Sequence, residues 1–268
     1  VTAGDAVLRT RVWTAVIVLP AVLAAIALLP DAAFSVFIAI VGAWGLYEVA
    51  EITAIRGPIG LSLLIFAGAA PLAALLVLGD FATWLLPAVV VAMMLGLVRV
   101  VAVRGGAEAP KGAALQVAGA LWVGVLFPYF AMLRNLPRGI EALVMMLLVV
   151  VASDTGAYFG GRWFGAHKLA PRVSPNKTVE GAVAGLAASV IAGLILHPWL
   201  APQWTPAAIA AISGAIAVMA QLGDAAGSAF KRAAGVKDSG WIFPGHGGLL
   251  DRTCSLVFAA VFTYYCFK

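Results

Sequence analysis

The sequence predicts an all-α fold, a polytopic integral membrane protein of about nine transmembrane helices with a cytoplasmic N-terminus. Three observations predict it. Mean hydropathy is +1.03, with 63% of the 268 residues apolar and 11% charged. Apolar runs of about 20 residues recur, the length that crosses the hydrocarbon core of a bilayer. The basic residues gather on one side of those runs.

Taken in order, the runs are 12–29, 32–52, 60–79, 81–103, 112–134, 139–163, 178–200, 206–230 and 248–267. The first follows Arg9 and Arg11 and ends near Pro30. It is long for the apolar part of a signal peptide and opens a series, so it reads as an uncleaved first helix. The third contains Pro71 and meets the fourth near Gly79–Asp80. No segment is long enough for a separate soluble domain. The chain therefore reads as one membrane domain, 1–268, with an N-terminal half (1–138) that carries no recognisable motif and a C-terminal half (139–268) that carries the polar residues.

With the N-terminus inside, only Arg134, Arg138 and Lys268 of the 17 basic residues fall outside. So strong a bias orients the protein and supports the count of spans. The net charge of +5 is then mostly orientation signal and gives no reason to expect nucleic acid. Cys254 and Cys266 lie on one expected helix with about 18 Å of rise between them, too far to bond. The pairs Gly156/Gly160, Gly161/Gly165 and Gly181/Gly185 have the spacing of closely packed helices.

Against this apolar background, residues Ser228 to Arg252 carry six charges and a histidine. Polar groups are costly near hydrocarbon and usually serve a function there. Asp154, Asp224 and Asp251 lie on three different spans at similar depth, near the cytoplasmic ends. Each alone could cap a helix or pair with an arginine; together they suggest a shared cation site. Gln221, Asp224, Ser228 and Lys231 form one helical stripe, and Asp154, Tyr158 and Arg162 another. Asp251 and Cys254 share a face.

The second polar block runs from Arg162 to Glu180. Pro175 and Asn176 suggest that Ser174–Thr178 is a turn, and Thr178 is placed to cap the next helix. That block reads equally as a capped loop or as a phosphate cradle formed by backbone N–H groups and Lys177.

These residues carry a resemblance. The chain resembles the phosphatidate cytidylyltransferase (CDP-diacylglycerol synthase) family, whose signature is approximately S-x-x-K-R-x4-K-D-x-G-x3-P-G-H-G-G-x-x-D-R-x-D. It is met at Ser228, Lys231, Arg232, Lys237, Asp238, Gly240, Pro244, Gly245, His246, Gly247, Gly248, Asp251 and Arg252. A second family motif, S-P-x-K-T-x-E-G, is met at Ser174, Pro175, Lys177, Thr178, Glu180 and Gly181. A third element is met at Asp154, Ala157, Tyr158 and Gly161, and a Gly-Asp pair at Gly223 and Asp224. The family's last signature aspartate is Cys254 here, and a thiol is a poor ligand for a hard cation.

The resemblance implies a transfer of CMP from CTP to phosphatidate at the cytoplasmic face of a bacterial-type inner membrane. It implies Mg²⁺ held by Asp224 and Asp251, with a second cation left open. Lys231, Arg232, Lys237 and Arg252 would neutralise phosphates. Asp238 would bind metal or orient Lys237, and His246 would approach the pyrophosphate or make a structural hydrogen bond. Asp154, Tyr158, Ser174, Asn176, Lys177, Thr178, Glu180, Ser228, Gly245, Gly247 and Gly248 would line the substrates. CTP, phosphatidate and membrane lipid are the expected partners, nucleic acid is not, and a homodimer is left open. The alternatives are a CTP-dependent polyprenol or dolichol kinase, an ether-lipid cytidylyltransferase and, further off, a transporter. Walker A, H-E-x-x-H and G-x-S-x-G patterns are absent.

Overall fold

The computed structural model describes residues 17–55, 57–78, 81–102, 109–242 and 247–268. Helix follows the apolar runs. In order come α1 (Ile17–Leu28), α2 (Asp31–Ile52), α3 (Gly57–Leu63), α4 (Ala70–Leu78), α5 (Phe81–Ala102), α6 (Ala109–Leu121), α7 (Pro128–Arg134) and α8 (Gly139–Phe164). After a hairpin of β1 (Lys168–Ala170) and β2 (Ser174–Thr178) come α9 (Val179–Leu200), α10 (Pro206–Ala233) and α11 (Leu249–Phe267). The polytopic, all-helical membrane expectation is met. Seven helical stretches among the described residues are long and apolar enough to cross a membrane, matching the second to eighth expected spans. The first expected span is described only as the 12-residue α1, and the last as α11, whose first turn holds Asp251. Arg9, Arg11, Arg56, Arg104 and the Gly79–Asp80 junction lie outside the described residues.

Two of the seven are interrupted by π-helical turns, Leu64–Ala69 between α3 and α4 and Trp122–Leu126 between α6 and α7. The two turns meet. A side chain on Gly124 would collide with the Ala67 carbonyl and stand 2.7 Å from the Gly68 Cα. The backbones touch where each helix widens by a residue.

The chain divides into two compact units, Val1–Ala131 with Phe230–Arg252, and Met132–Ala229 with Thr253–Lys268. In the first, Leu63, Ala67, Ala92 and Ala120 form a buried cluster covered by Leu95, Val117 and Leu121. Phe230 is anchored there: its ring lies 6.1 Å from that of Trp122, and Gly119 leaves room for both Phe230 and Val49. In the second unit, α8 and α9 pack through small residues. A side chain on Gly156 would stand 2.5 Å from the Ala188 Cβ, and one on Gly185 would stand 2.7 Å from the Ser153 carbonyl. The close-packing expectation for Gly156/Gly160 and Gly181/Gly185 therefore holds. Neither cysteine forms a disulfide.

One local expectation is corrected. Ser174–Thr178 is a strand, antiparallel to β1 with Lys168 opposite Thr178 and Ala170 opposite Ser174. The chain reverses one step earlier, where Val173 N–H bonds the Ala170 carbonyl at 3.1 Å. Pro175 is tolerated because both strands of a two-stranded sheet are edges.

Candidate active site

Asp251 is anchored by several donors within the first unit. It lies in the first turn of α11, and Oδ2 accepts from Gly248 N–H at 2.8 Å, just ahead of the helix. A carboxylate reaching back to satisfy an orphan N–H at a helix start also complements the helix dipole. Oδ2 accepts from Ser239 N–H at 2.8 Å as well, with the Ser239 hydroxyl 3.1 Å away. Oδ1 pairs with Lys231. The Asp251 side chain is 5% exposed and that of Lys231 15%, so removing one partner strands a buried charge at a cost of about 3–5 kcal/mol. Gly247 has φ +81°, a left-handed conformation in which a side chain would also stand 2.5 Å from Asp251 Oδ2.

Sequence reasoning missed the group beside it. Glu48, from α2 in the motif-free half, is 2% exposed. It accepts from Leu249 N–H at 2.7 Å, Leu250 N–H at 3.0 Å, the Ser239 hydroxyl at 2.7 Å and Trp44 Nε1 at 3.1 Å. The signal was available: an acidic residue inside an apolar span, with a tryptophan one turn earlier.

In the second unit, Lys177 of β2 pairs with Asp224 of α10, 47 positions along the chain. Both side chains are partly open, at 30% and 43% exposure. Gly223 lets α10 approach α11 at this level, since a side chain there would strike the Cys254 carbonyl and press on Phe258. Cys254 itself is buried. Thr178 caps α9 as expected, its hydroxyl accepting from Gly181 N–H at 3.1 Å. Glu180 turns back to the loop, accepting from Ala166 N–H at 3.1 Å and pairing with His167 Nδ1 at 2.6 Å. Arg162 donates to the Tyr158 hydroxyl at 3.1 Å, as their shared stripe suggested. Gln221 is engaged with the Ala182 carbonyl of α9.

Asp154, Asn176, Lys237, Asp238 and Arg252 are exposed, while Ser174 and Ser228 are half-buried. Arg232 donates to the Val236 carbonyl at 3.1 Å. Gly245 and His246 lie outside the described residues. Among the described residues, no group of three or more His, Cys, Asp and Glu is arranged to hold a metal. Among the described motif residues, two carboxylate–lysine pairs are built. Each sets a hard oxygen donor beside a cation able to bind phosphate.

Residues 9–268 match the model of the cytidylyltransferase family. Among similar proteins, the phosphatidate cytidylyltransferase of Staphylococcus epidermidis is 40% identical over 146 residues, 54% of this chain and 55% of that protein. The Brucella suis protein of the same name is 41% identical over 157 residues, 58% of this chain and 57% of its own. That of Staphylococcus saprophyticus is 44% identical over 137 residues, 51% and 52% of the two chains. The aligned part thus spans about half the length of these curated relatives. The family match is wider, taking in nearly all of this sequence and the spans that carry no motif, and the chain belongs to the cytidylyltransferase family.

Proposed function

We propose that this chain is a nucleotidyltransferase that makes CDP-diacylglycerol and pyrophosphate from CTP and phosphatidate. The observation that carries the reading is the pairing of Lys177 with Asp224, which joins the second motif to the Gly-Asp pair ahead of the signature. Family membership and the names of the similar proteins support the same substrates. Each pair sets a lysine, a side chain able to bind phosphate, beside a carboxylate.

A phosphate oxygen of phosphatidate attacks the α-phosphorus of CTP. The new P–O bond forms as the bond from that phosphorus to the α–β bridging oxygen breaks, and pyrophosphate leaves. Such a displacement asks the protein for alignment and charge neutralisation. Lys231 and Lys177 are proposed to hold phosphate oxygens, and Arg232, Lys237 and Arg252 to offset the charge of pyrophosphate. Ser239 and Gly248, by fixing Asp251, keep Lys231 in place.

Cytidylyltransferases generally use a divalent cation, and magnesium is the ion proposed. Asp224 and Asp251 are each proposed as oxygen ligands. Each carboxylate suits the role by its own chemistry, because magnesium is ordinarily held by one or two carboxylates together with substrate phosphates rather than by a full protein cage. When bound, the ion neutralises the nucleotide phosphates.

We propose the cytoplasmic face of a bacterial-type inner membrane as the side of the reaction. CTP is cytosolic, and the basic residues concentrate on the side that carries both motifs. Protein purified in detergent, given phosphatidate, cytidine-labelled CTP and magnesium, should yield a chloroform-soluble cytidine product that a chelator suppresses. No lipid-bound cytidine under these conditions would reject the reading.

A further inference from the structure

Glu48 takes no part in the proposed chemistry, yet it is one of the most elaborately bonded side chains of the first unit. A buried carboxylate in an apolar helix is costly unless donors surround it. Glu48 has four: two backbone N–H groups that open α11, the Ser239 hydroxyl and the Trp44 indole. The backbone of the signature is shaped to fit it. A side chain on Gly240 would stand 2.8 Å from Glu48 Oε1, and one on Gly248 would stand 2.5 Å from Oε2. The Ser239 hydroxyl is within reach of both Glu48 Oε2, at 2.7 Å, and Asp251 Oδ2, at 3.1 Å. Glu48 therefore grips both segments that hold Asp251: the loop at Ser239 and the first turn of α11.

We propose that Glu48 is a positioning residue for the transfer, acting from the motif-free half of the chain. It fixes Ser239 and the start of α11 so that Asp251 and Lys231 stand paired and correctly placed. It touches neither substrate nor cation. The proposal rests on the cytidylyl-transfer reading above. It also accounts for Gly240 and Gly248, which are needed for the backbone to approach the carboxylate.

The test compares wild type with Glu48→Gln in detergent, measuring kcat and KM for CTP alongside the thermal unfolding midpoint. Gln keeps the shape but replaces one acceptor oxygen with a donor, facing groups that are already donors. The proposal expects kcat per folded molecule to fall by roughly tenfold or more, the weight of one charge-assisted hydrogen bond, with KM for CTP changed much less. A folded Glu48→Gln protein with wild-type kcat, whatever its melting temperature, would make Glu48 merely structural and overturn the proposal. Should that variant not fold, Ser239→Ala decides in its place with the same two outcomes, since it cuts the loop from the carboxylate but leaves α11 capped. An inactive wild type would remove the function reading and this proposal together, whereas an active wild type with unaffected variants removes the proposal alone.

Discussion

Replacing Gly248 with alanine adds one methyl group at a crowded polar point of the first unit. The new Cβ would stand 2.5 Å from Glu48 Oε2 and 2.6 Å from Gly240 N, and closer still to the Ser239 hydroxyl. Ordinary contact begins near 3.4 Å, so something must move by close to an ångström. The neighbours are short of slack. One is backbone, one is a carboxylate held by four donors, and one is a hydroxyl placed between two acids. Overpacking of this kind costs about 1–3 kcal/mol, and losing one charge-assisted hydrogen bond adds about 1.5–3 kcal/mol. The loop should give way locally, shifting Asp251. A displacement of about 1 Å at a reacting centre commonly lowers turnover by about 100-fold, and that is the loss expected in CDP-diacylglycerol formation. Gly112→Ala serves as the control, because nothing lies within 4 Å of a Cβ there; its turnover should match wild type. Wild-type turnover in Gly248→Ala would refute the claim that this contact sets the site.

Asp224→Asn should separate activity from stability. The Lys177 pair is partly exposed, so unfolding should shift by no more than about 1 kcal/mol, while product formation falls by about 100-fold or more; turnover close to wild type would remove Asp224 from the site. Ala170→Cys and Ala234→Cys, in a Cys266→Ser background, should react with an impermeant thiol reagent only from the cytoplasmic side. Labelling from outside in intact cells would overturn the topology. Cys254→Asp should raise turnover or lower the magnesium needed, because it adds a hard oxygen one turn from Asp251. Identical magnesium dependence in the two forms would show that position 254 is not a ligand.

The spans were legible because a bilayer imposes their length and apolarity residue by residue, with little call on tertiary context. Seven expected runs became seven suitable helices for that reason. The π-helical turns at Leu64–Ala69 and Trp122–Leu126 were not legible, since they arise where two backbones meet across Gly124 and Gly68. The hairpin was misread because Pro175-Asn176 suits a turn locally, whereas pairing with Lys168–Ala170 decides the outcome. The motif residues were readable as a set, and two of their partnerships, Lys177 with Asp224 and Lys231 with Asp251, emerged only in three dimensions. Glu48 was visible as an acid within a span. Its partners at Ser239, Leu249 and Leu250 lie about 190 to 200 positions along the chain, beyond the reach of any local pattern.

The central claim is that the cytidylyl group moves to phosphatidate and pyrophosphate leaves. Its most direct test is CTP labelled separately on cytidine and on the γ-phosphate, incubated with the purified protein, phosphatidate and magnesium. The account predicts cytidine label in the chloroform phase and γ-label recovered as pyrophosphate, in equal amounts. Lipid carrying the γ-label without cytidine would mean a kinase, and neither label in lipid would mean that this chain does not perform the transfer.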